Sequence, residues 1–347
     1  MRAPNRWWPP GHCQIAVVVT THKAALLPQI LDALDSQAGM EGRRWQVVVV
    51  DNGSRENVAR RLRPSDFRFR LATFEQAHTG RGWARNQGWR RAEAPIVLFL
   101  DDDLVPDRRL LAEHLDAHER HPGSVVLGKI SLAGPASMRP WTEYDRSKLA
   151  GKNAALGRRE RPSGIHMGGN FSVAVERLKE AGGFDHRLPG RDHVDLGFRF
   201  KRMGVPFVYR PGALAYLHSE PSFESWRIAL ELQGKLDVAI FRDRGYSGGL
   251  SGMVACFHDR HPLNRVAVRL ALSTRVMEHG IVGAARRLGA VTLRVGLRRA
   301  SVASMSVVAN VLYWRGVRDG LRGNARFWAL VRETRRFPGR TYEMVAT

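Results

Sequence analysis

Three short runs of apolar, largely β-branched residues constrain this chain more than any other feature: Ile15 to Val19, Val47 to Val50 and Ile96 to Leu100. Each is of strand length, and an unbroken apolar run is what a strand buried on both faces requires. Helical spacing follows the first run at Leu26, Leu27, Ile30, Leu31 and Leu34, with Pro28 near the helix start. Strands alternating with helices predict an α/β fold, a Rossmann-like, mainly parallel sheet with helices on both faces. Such sheets bind ligands beyond the carboxyl ends of their strands. All three runs place polar residues there: Thr20, Thr21 and His22, then Asp51-Asn52-Gly53-Ser54, then Asp101-Asp102-Asp103.

Three adjacent carboxylates resist ionising together unless a cation or hydrogen-bond donors offset the charge. Strand alternation sends Asp101 and Asp103 to one side and Asp102 to the other, so the first and third can address one divalent ion. Oxygen ligands favour Mg2+ or Mn2+ shared with substrate phosphates. The alternative is a solvated acidic turn before the helix expected around Pro106 to Glu119. Gly80, Gly82 and Gly88 miss the dinucleotide-fingerprint spacing and do not directly follow an apolar strand. Their segment reads as a helix start with Arg81 and Arg85 on one face, able to approach a diphosphate or to form a basic surface. Gly168-Gly169-Asn170 either brings backbone close to a bound sugar or makes an ordinary turn. Asp192, His193 and Asp195 open a further helix. Asp192 suits an N-cap and Asp195 an ion pair with Arg199, unless one residue is a general base for an acceptor hydroxyl. His218, after an apolar strand, is a candidate metal ligand.

Between these motifs a short strand is expected near Val125 to Leu127, and the stretch from Ala133 to Pro162 reads as a mobile loop over a site. The tail after about Trp226 is helical and rich in arginine. Lys and Arg total 55 against 33 Asp and Glu, a net charge of +22 that calls for an anionic partner. Cys13 and Cys256 form neither a disulfide framework nor a metal spacing, which suits a reducing, cytoplasmic setting. No apolar run reaches the roughly 18 residues of a membrane span. Arg265 to Arg299, and Val307 to Leu321 around Trp314, suit helices that lie on an anionic membrane surface or pack on the rest of the protein. No RNP, zinc-finger or helix-turn-helix pattern supports nucleic-acid binding, the rival that the charge raises.

Taken in order, the motifs resemble family 2 glycosyltransferases of the GT-A fold. They are Val-Val-Val-Thr-Thr-His, Val-Val-Val-Val-Asp-Asn-Gly-Ser, Gly80 with Ala84-Arg85-Asn86, Phe-Leu-Asp-Asp-Asp, Gly-Gly-Asn-Phe-Ser, Gly-Gly-Phe-Asp and Asp-Leu-Gly-Phe-Arg. The resemblance runs from about Ile15 to His218. It implies a catalytic domain at 15–225, between a lead-in at 1–14 and a helical, basic region at 226–347. It further implies an inverting transferase using a nucleotide diphosphate sugar and a divalent ion, Mn2+ or Mg2+. By position, Thr20, His22, Asp51 and Arg85 would line the nucleotide pocket, with Asp102 beside them in the DxD run. Asp101 would face ribose and metal, Asp103 and His218 would ligate the metal, and Gly169 and Asn170 would border sugar and acceptor. Relatives carry Glu-Asp where this chain has Asp192-His193, so an imidazole stands at the position of the usual base, with Asp192 as its partner or as the base itself. The acceptor would be a saccharide, a lipid-linked or a small-molecule hydroxyl, in surface polysaccharide, glycolipid or other glycoconjugate synthesis at the inner face of the membrane. A nucleotidyltransferase acting on sugar phosphates is the alternative enzyme.

Overall fold

Alternation within the first strand organises the sheet-bearing part of the molecule. In β1 (Ile15–Thr21) every residue is buried: Ile15, Val17 and Val19 join one apolar layer and Val18 the other. β2 (Trp45–Asn52) divides in the same way, with Val47 and Val49 on the first side and Val48 and Val50 on the second. The first layer is closed by α1 (Leu27–Asp35) through Leu27, Ile30, Leu31 and Leu34. Burial on both faces is why these strands read as unbroken apolar runs. The computed structural model describes residues 13–22, 24–55, 58–134, 138–158, 167–244 and 249–335.

After α2 (Val58–Arg61), β3 (Arg70–Gln76) forms one edge of the sheet. Its half-buried, mixed sequence carries no apolar run and gave no strand signal. α3 (Arg81–Arg90) packs on the second layer through Ala84 and Trp89. Gly88 lets it approach, since a side chain there would run into Val18. Then follow β4 (Ile96–Asp101), the three-residue β5 (Leu104–Pro106), α4 (Leu110–Arg120) and β6 (Val125–Leu132). α5 (Pro140–Gly157) precedes β7 (Asn170–Ala174), α6 (Val175–Ala181), α7 (Asp192–Arg202) and β8 (Phe207–Leu217). The eight-stranded order is β3-β2-β1-β4-β7-β6-β8-β5. β3, β2, β1 and β4 run parallel, β7 runs antiparallel between β4 and β6, and β8 pairs parallel with β6 and antiparallel with β5. In this register Thr20 lies beside Asp101 and Thr21 beside Asp51, at one edge.

Two differences from the sequence expectations have local causes. Most of the expected loop between Ala133 and Pro162 is α5, with Pro140 at its first position, where proline is favoured. Its apolar residues follow no clear helical period, which hid it; residues 135–137 and 159–166 lie outside the described residues. The helix expected from Pro106 begins at Leu110 because Pro106 completes β5.

The chain divides into two compact units, residues 1–133 with 152–219 and residues 134–151 with 220–347. The second is helical: the start of α5, then α8 (Phe223–Arg244), α9 (Gly249–Ala255), α10 (Pro262–Ala271), α11 (Arg275–Arg294), α12 (Arg298–Gly320) and α13 (Asn324–Thr334). α12 forms its core, burying Met305, Val308 and Leu312 against Tyr144, Trp226 and Leu230. Among the described residues no helix is long and apolar enough to cross a membrane.

Candidate active site

The side of β4 that buries Val97 and Phe99 in the second layer also directs the Asp101 carboxylate to α3. There Asp101 Oδ1 accepts a hydrogen bond from Arg85 Nη2 at 2.6 Å, while Arg85 Nη1 donates to Asp192 Oδ2 at 2.9 Å. The guanidinium lies over the Phe184 ring, and its side chain is only 3% exposed. One buried arginine therefore joins a strand-end aspartate to the first residue of α7. Burial alone would raise both carboxyls, but the Arg85 charge overrides it and holds Asp101 and Asp192 below the usual carboxylate range. Arg81, one turn earlier, is half exposed and 3.8 Å from Asp101 Oδ2. The two arginines expected to share a task thus divide it. Arg85 is enclosed as a bridge, and Arg81 keeps surface free for an anionic ligand.

Asp102 turns to the other layer, accepting from Thr21 Oγ1 at 2.9 Å and from the His22 N–H at 3.4 Å. Asp103 follows in a turn. Burial, then the charges of Asp101 and Asp102, push its carboxyl up to about 6. Its carbonyl accepts the His218 N–H at 2.9 Å, which brings the last aspartate and the late histidine together through backbone.

Asp192 opens α7 without capping it; its side chain is drawn to Arg85 instead. Its Oδ1 has no hydrogen-bond partner among the described residues and lies 3.7 Å from His193 Nδ1. Burial lowers the His193 pKa, and Asp192 opposes it. The imidazole keeps 23% of its side-chain surface exposed, whereas Asp192 has none. Asp195 is buried and paired with Arg199 at 2.7 Å, the ion pair expected from the spacing.

At the end of β2, both Asp51 oxygens accept from Ser54, one from its N–H and one from its hydroxyl, each at 2.7 Å. Asp51 thereby shapes the turn that presents Asn52. Asn52 Oδ1 accepts from Gln76 Nε2 at 2.8 Å and from the Thr79 N–H at 3.2 Å. The His22 and His78 rings, 4.4 Å apart, both lie against the Asn52 carbonyl. Gln76, His78 and Thr79 were not singled out from sequence. Their polar side chains sit just ahead of Gly80, and it is β3, without an apolar signature, that brings them to this edge.

Gly169 accepts the Asp101 N–H through its carbonyl at 2.9 Å, and any side chain there would run into the Asp101 carboxylate. Asn170 is buried between sheet and helix: its amide donates to the Lys129 and Ala213 carbonyls, and its Oδ1 meets His114 Nε2 of α4 at 2.9 Å. Thr20 is buried beside Asp101.

Residues 16–177, the segment that carries these strand ends, match the model of glycosyl transferase family 2. This segment belongs to that family. Over 228 residues the chain is 26% identical to the pre-mycofactocin glycosyltransferase of Mycobacterium tuberculosis, covering 62% of this chain and 45% of that protein. It is 27% identical to the validoxylamine A glucosyltransferase of Streptomyces hygroscopicus over 221 residues, covering 55% and 52%. The chain therefore spans about half the length of these relatives. Among solved structures, S. aureus TarS 1–349 superposes with a TM-score of 0.52 at 15% identity, covering 96% of this chain and 94% of that one. The mannosyltransferase PcManGT from Pyrobaculum calidifontis, in complex with GDP-Man and Mn2+, gives 0.53 at 20% identity, covering 97% and 90%. These likenesses establish the GT-A fold.

The described residues hold no group of three or more His, Cys, Asp or Glu arranged to enclose a metal. Ions of the Mg2+ type, however, are commonly bound by one or two carboxylates and complete their shell with substrate phosphates and water. Asp103, whose carboxyl is crowded by two like charges, could supply such a carboxylate, and His218 is joined to it through backbone.

Proposed function

We propose that this protein is an inverting glycosyltransferase that moves a sugar from a nucleotide diphosphate sugar to an acceptor hydroxyl. The observation that carries the reading is the Asp101–Arg85–Asp192 bridge, which ties the donor end of β4 to the helix bearing an imidazole. The nucleoside would lie along the β1 and β2 edge, against Thr20, His22, Asp51 and Asn52. Asp103, Asp101 and His218 would hold Mn2+ or Mg2+, which when bound neutralises charge on the donor diphosphate.

His193 is the base of this mechanism. Asp192 is a poor proton acceptor because Arg85 stabilises its ionised form. His193, with its pKa lowered, is neutral at pH 7 and has Nδ1 turned to Asp192, leaving Nε2 for substrate. Nε2 takes the acceptor proton as the hydroxyl oxygen attacks the anomeric carbon. The bond from that carbon to the diphosphate oxygen breaks, its electron pair leaves with the diphosphate, and the exposed Arg81 meets the developing charge. Asp192 Oδ1 stabilises the imidazolium. A single displacement inverts the anomeric carbon. Two buried, free thiols suit a reducing compartment, and we place the enzyme at the cytoplasmic face of a membrane, with a saccharide, lipid-linked or small-molecule acceptor.

The test is a thermal-shift panel of UDP-, GDP- and dTDP-sugars with and without Mn2+, coupled to detection of the released nucleoside diphosphate. One donor should raise Tm by mass action only with metal, and Asp103→Ala should remove both that rise and turnover. Full metal-dependent turnover by Asp103→Ala, or release of pyrophosphate, would overturn the reading.

A further inference from the structure

α10 and α11 each have two apolar faces, and among the described residues only one of them is packed. On α10, Asn264, Val268 and Ala271 are buried, and Asn264 Nδ2 donates to Ser306 Oγ of α12 at 3.1 Å. Turned away from that contact are Leu263, Val266 and Leu270, which are 68%, 51% and 47% exposed. Their spacing of three and four residues makes one stripe on a helix. α11 repeats the plan. Its Glu278 meets Arg315 of α12 at 2.5 Å, and Gly289 lies against Met305 of α12, while Met277, Leu288, Val291 and Val295 form the opposite stripe. Nine of the fourteen large apolar side chains left exposed among the described residues fall between 263 and 297. A solvated helix does not need such a face, and a contiguous one marks an interaction surface.

The charge flanking these stripes names the occupant. Residues 262–299 contain eight arginines and one acidic residue, Glu278, which is buried against Arg315. Arg265 and Arg269 border the α10 stripe, and Arg287 and Arg294 border that of α11. A protein partner that buried this surface would have to neutralise a dense array of guanidinium groups. An anionic bilayer meets both demands, with phosphate oxygens for the arginines and the acyl boundary for Leu, Val and Met. We infer that the outward faces of α10 and α11 form a monotopic docking surface for a membrane rich in anionic phospholipid. This gives the membrane placement proposed above its surface, and it is independent of the sugar chemistry.

The experiment is flotation of the full chain with vesicles of phosphatidylcholine alone or containing phosphatidylglycerol, beside light scattering to measure self-association. The chain should float with the anionic vesicles and remain behind with the neutral ones. Because one arginine near an anionic leaflet changes partitioning about fivefold, Arg287→Ala with Arg294→Ala should weaken it roughly 25-fold at low salt. Leu288→Gln with Val291→Gln should weaken it at least tenfold with an unchanged melting temperature. Equal flotation of both double variants with the parent, failure of the parent to float, or a dimer that the Leu288 and Val291 changes dissociate would each overturn the proposal. Donor hydrolysis without acceptor should be the same in parent and variants. Loss of that activity in the parent would count against the glycosyltransferase reading and leave the flotation result standing.

Discussion

The sheet unit holds two polar assemblies that handle charge by opposite means. The first is charged: Arg85 lies between Asp101 and Asp192, and each carboxylate is held ionised by the guanidinium. The second, between α4 and β7, is neutral. Asn170 uses its amide N–H groups on the Lys129 and Ala213 carbonyls, so its Oδ1 must accept from His114 Nε2. His114 Nδ1 is then an acceptor, Ser172 donates to it at 2.8 Å, and Ser172 Oγ in turn accepts from His118 Nε2 at 2.8 Å. Every proton is placed with both imidazoles neutral, and burial pushes their pKa values down to about 4 for His114 and about 3 for His118. Where an assembly reaches the candidate site it keeps charges that can respond to a ligand. Where it only joins helix to sheet, ionisation is suppressed.

The sharpest way to break this contrast is Arg85→Met, which keeps the volume and removes the shared partner of buried Asp192 and partly buried Asp101. A loss of about 3–5 kcal/mol in denaturant unfolding is expected, with partial recovery on adding Asp192→Asn. Unchanged stability would mean that the bridge holds nothing. The base proposed at His193 predicts that His193→Ala lowers kcat by about 10²- to 10⁴-fold with little change in Tm. A matching fall in Tm would instead make it a packing residue. The neutral assembly predicts acid lability. Since the folded pKa values of His114 and His118 lie below the ordinary value of 6.5, only the unfolded chain takes up their protons between those values. Stability from this pair is complete above pH 6.5 and is lost as pH falls toward 4 and then 3, on the order of a few kcal/mol. A parent and a His114→Gln, His118→Gln variant with the same slope of stability against pH over that window would refute the assignment.

The three apolar runs made the centre of the sheet legible, because burial on both faces leaves no other composition for a strand. β3 and β5 were not legible: one is a half-buried edge and the other has three residues. The strand-end carboxylates could be read as a site because they interrupt an apolar pattern. What they touch could not be read. Arg85 and Asp192 are 107 residues apart in sequence, and only the packing of α3 against α7 shows that Arg85 is enclosed while Arg81 is open. The glycines before Asn170 left a sugar neighbour or an ordinary turn open, and it is Gly169 that meets the strand-end acid. The partner of Asn170, His114, sits in a helix whose sequence shows only an amphipathic pattern.

Ser172→Ala is the smallest change that separates scaffold from site. The hydroxyl stands between His114 Nδ1 and His118 Nε2, so its removal leaves one buried acceptor and one buried donor without a partner. A cost of about 1–3 kcal/mol is expected, below that of Arg85→Met because both imidazoles stay uncharged. The effect should appear in unfolding and not in the reaction. Ser172 lies on β7 two residues beyond Asn170, and the Gly169 carbonyl still holds the Asp101 N–H. KM for the donor and the pH dependence of kcat should therefore match the parent. If kcat instead fell with stability unchanged, the neutral network would be part of the catalytic apparatus, and the division between charged site and neutral scaffold would fail at this residue.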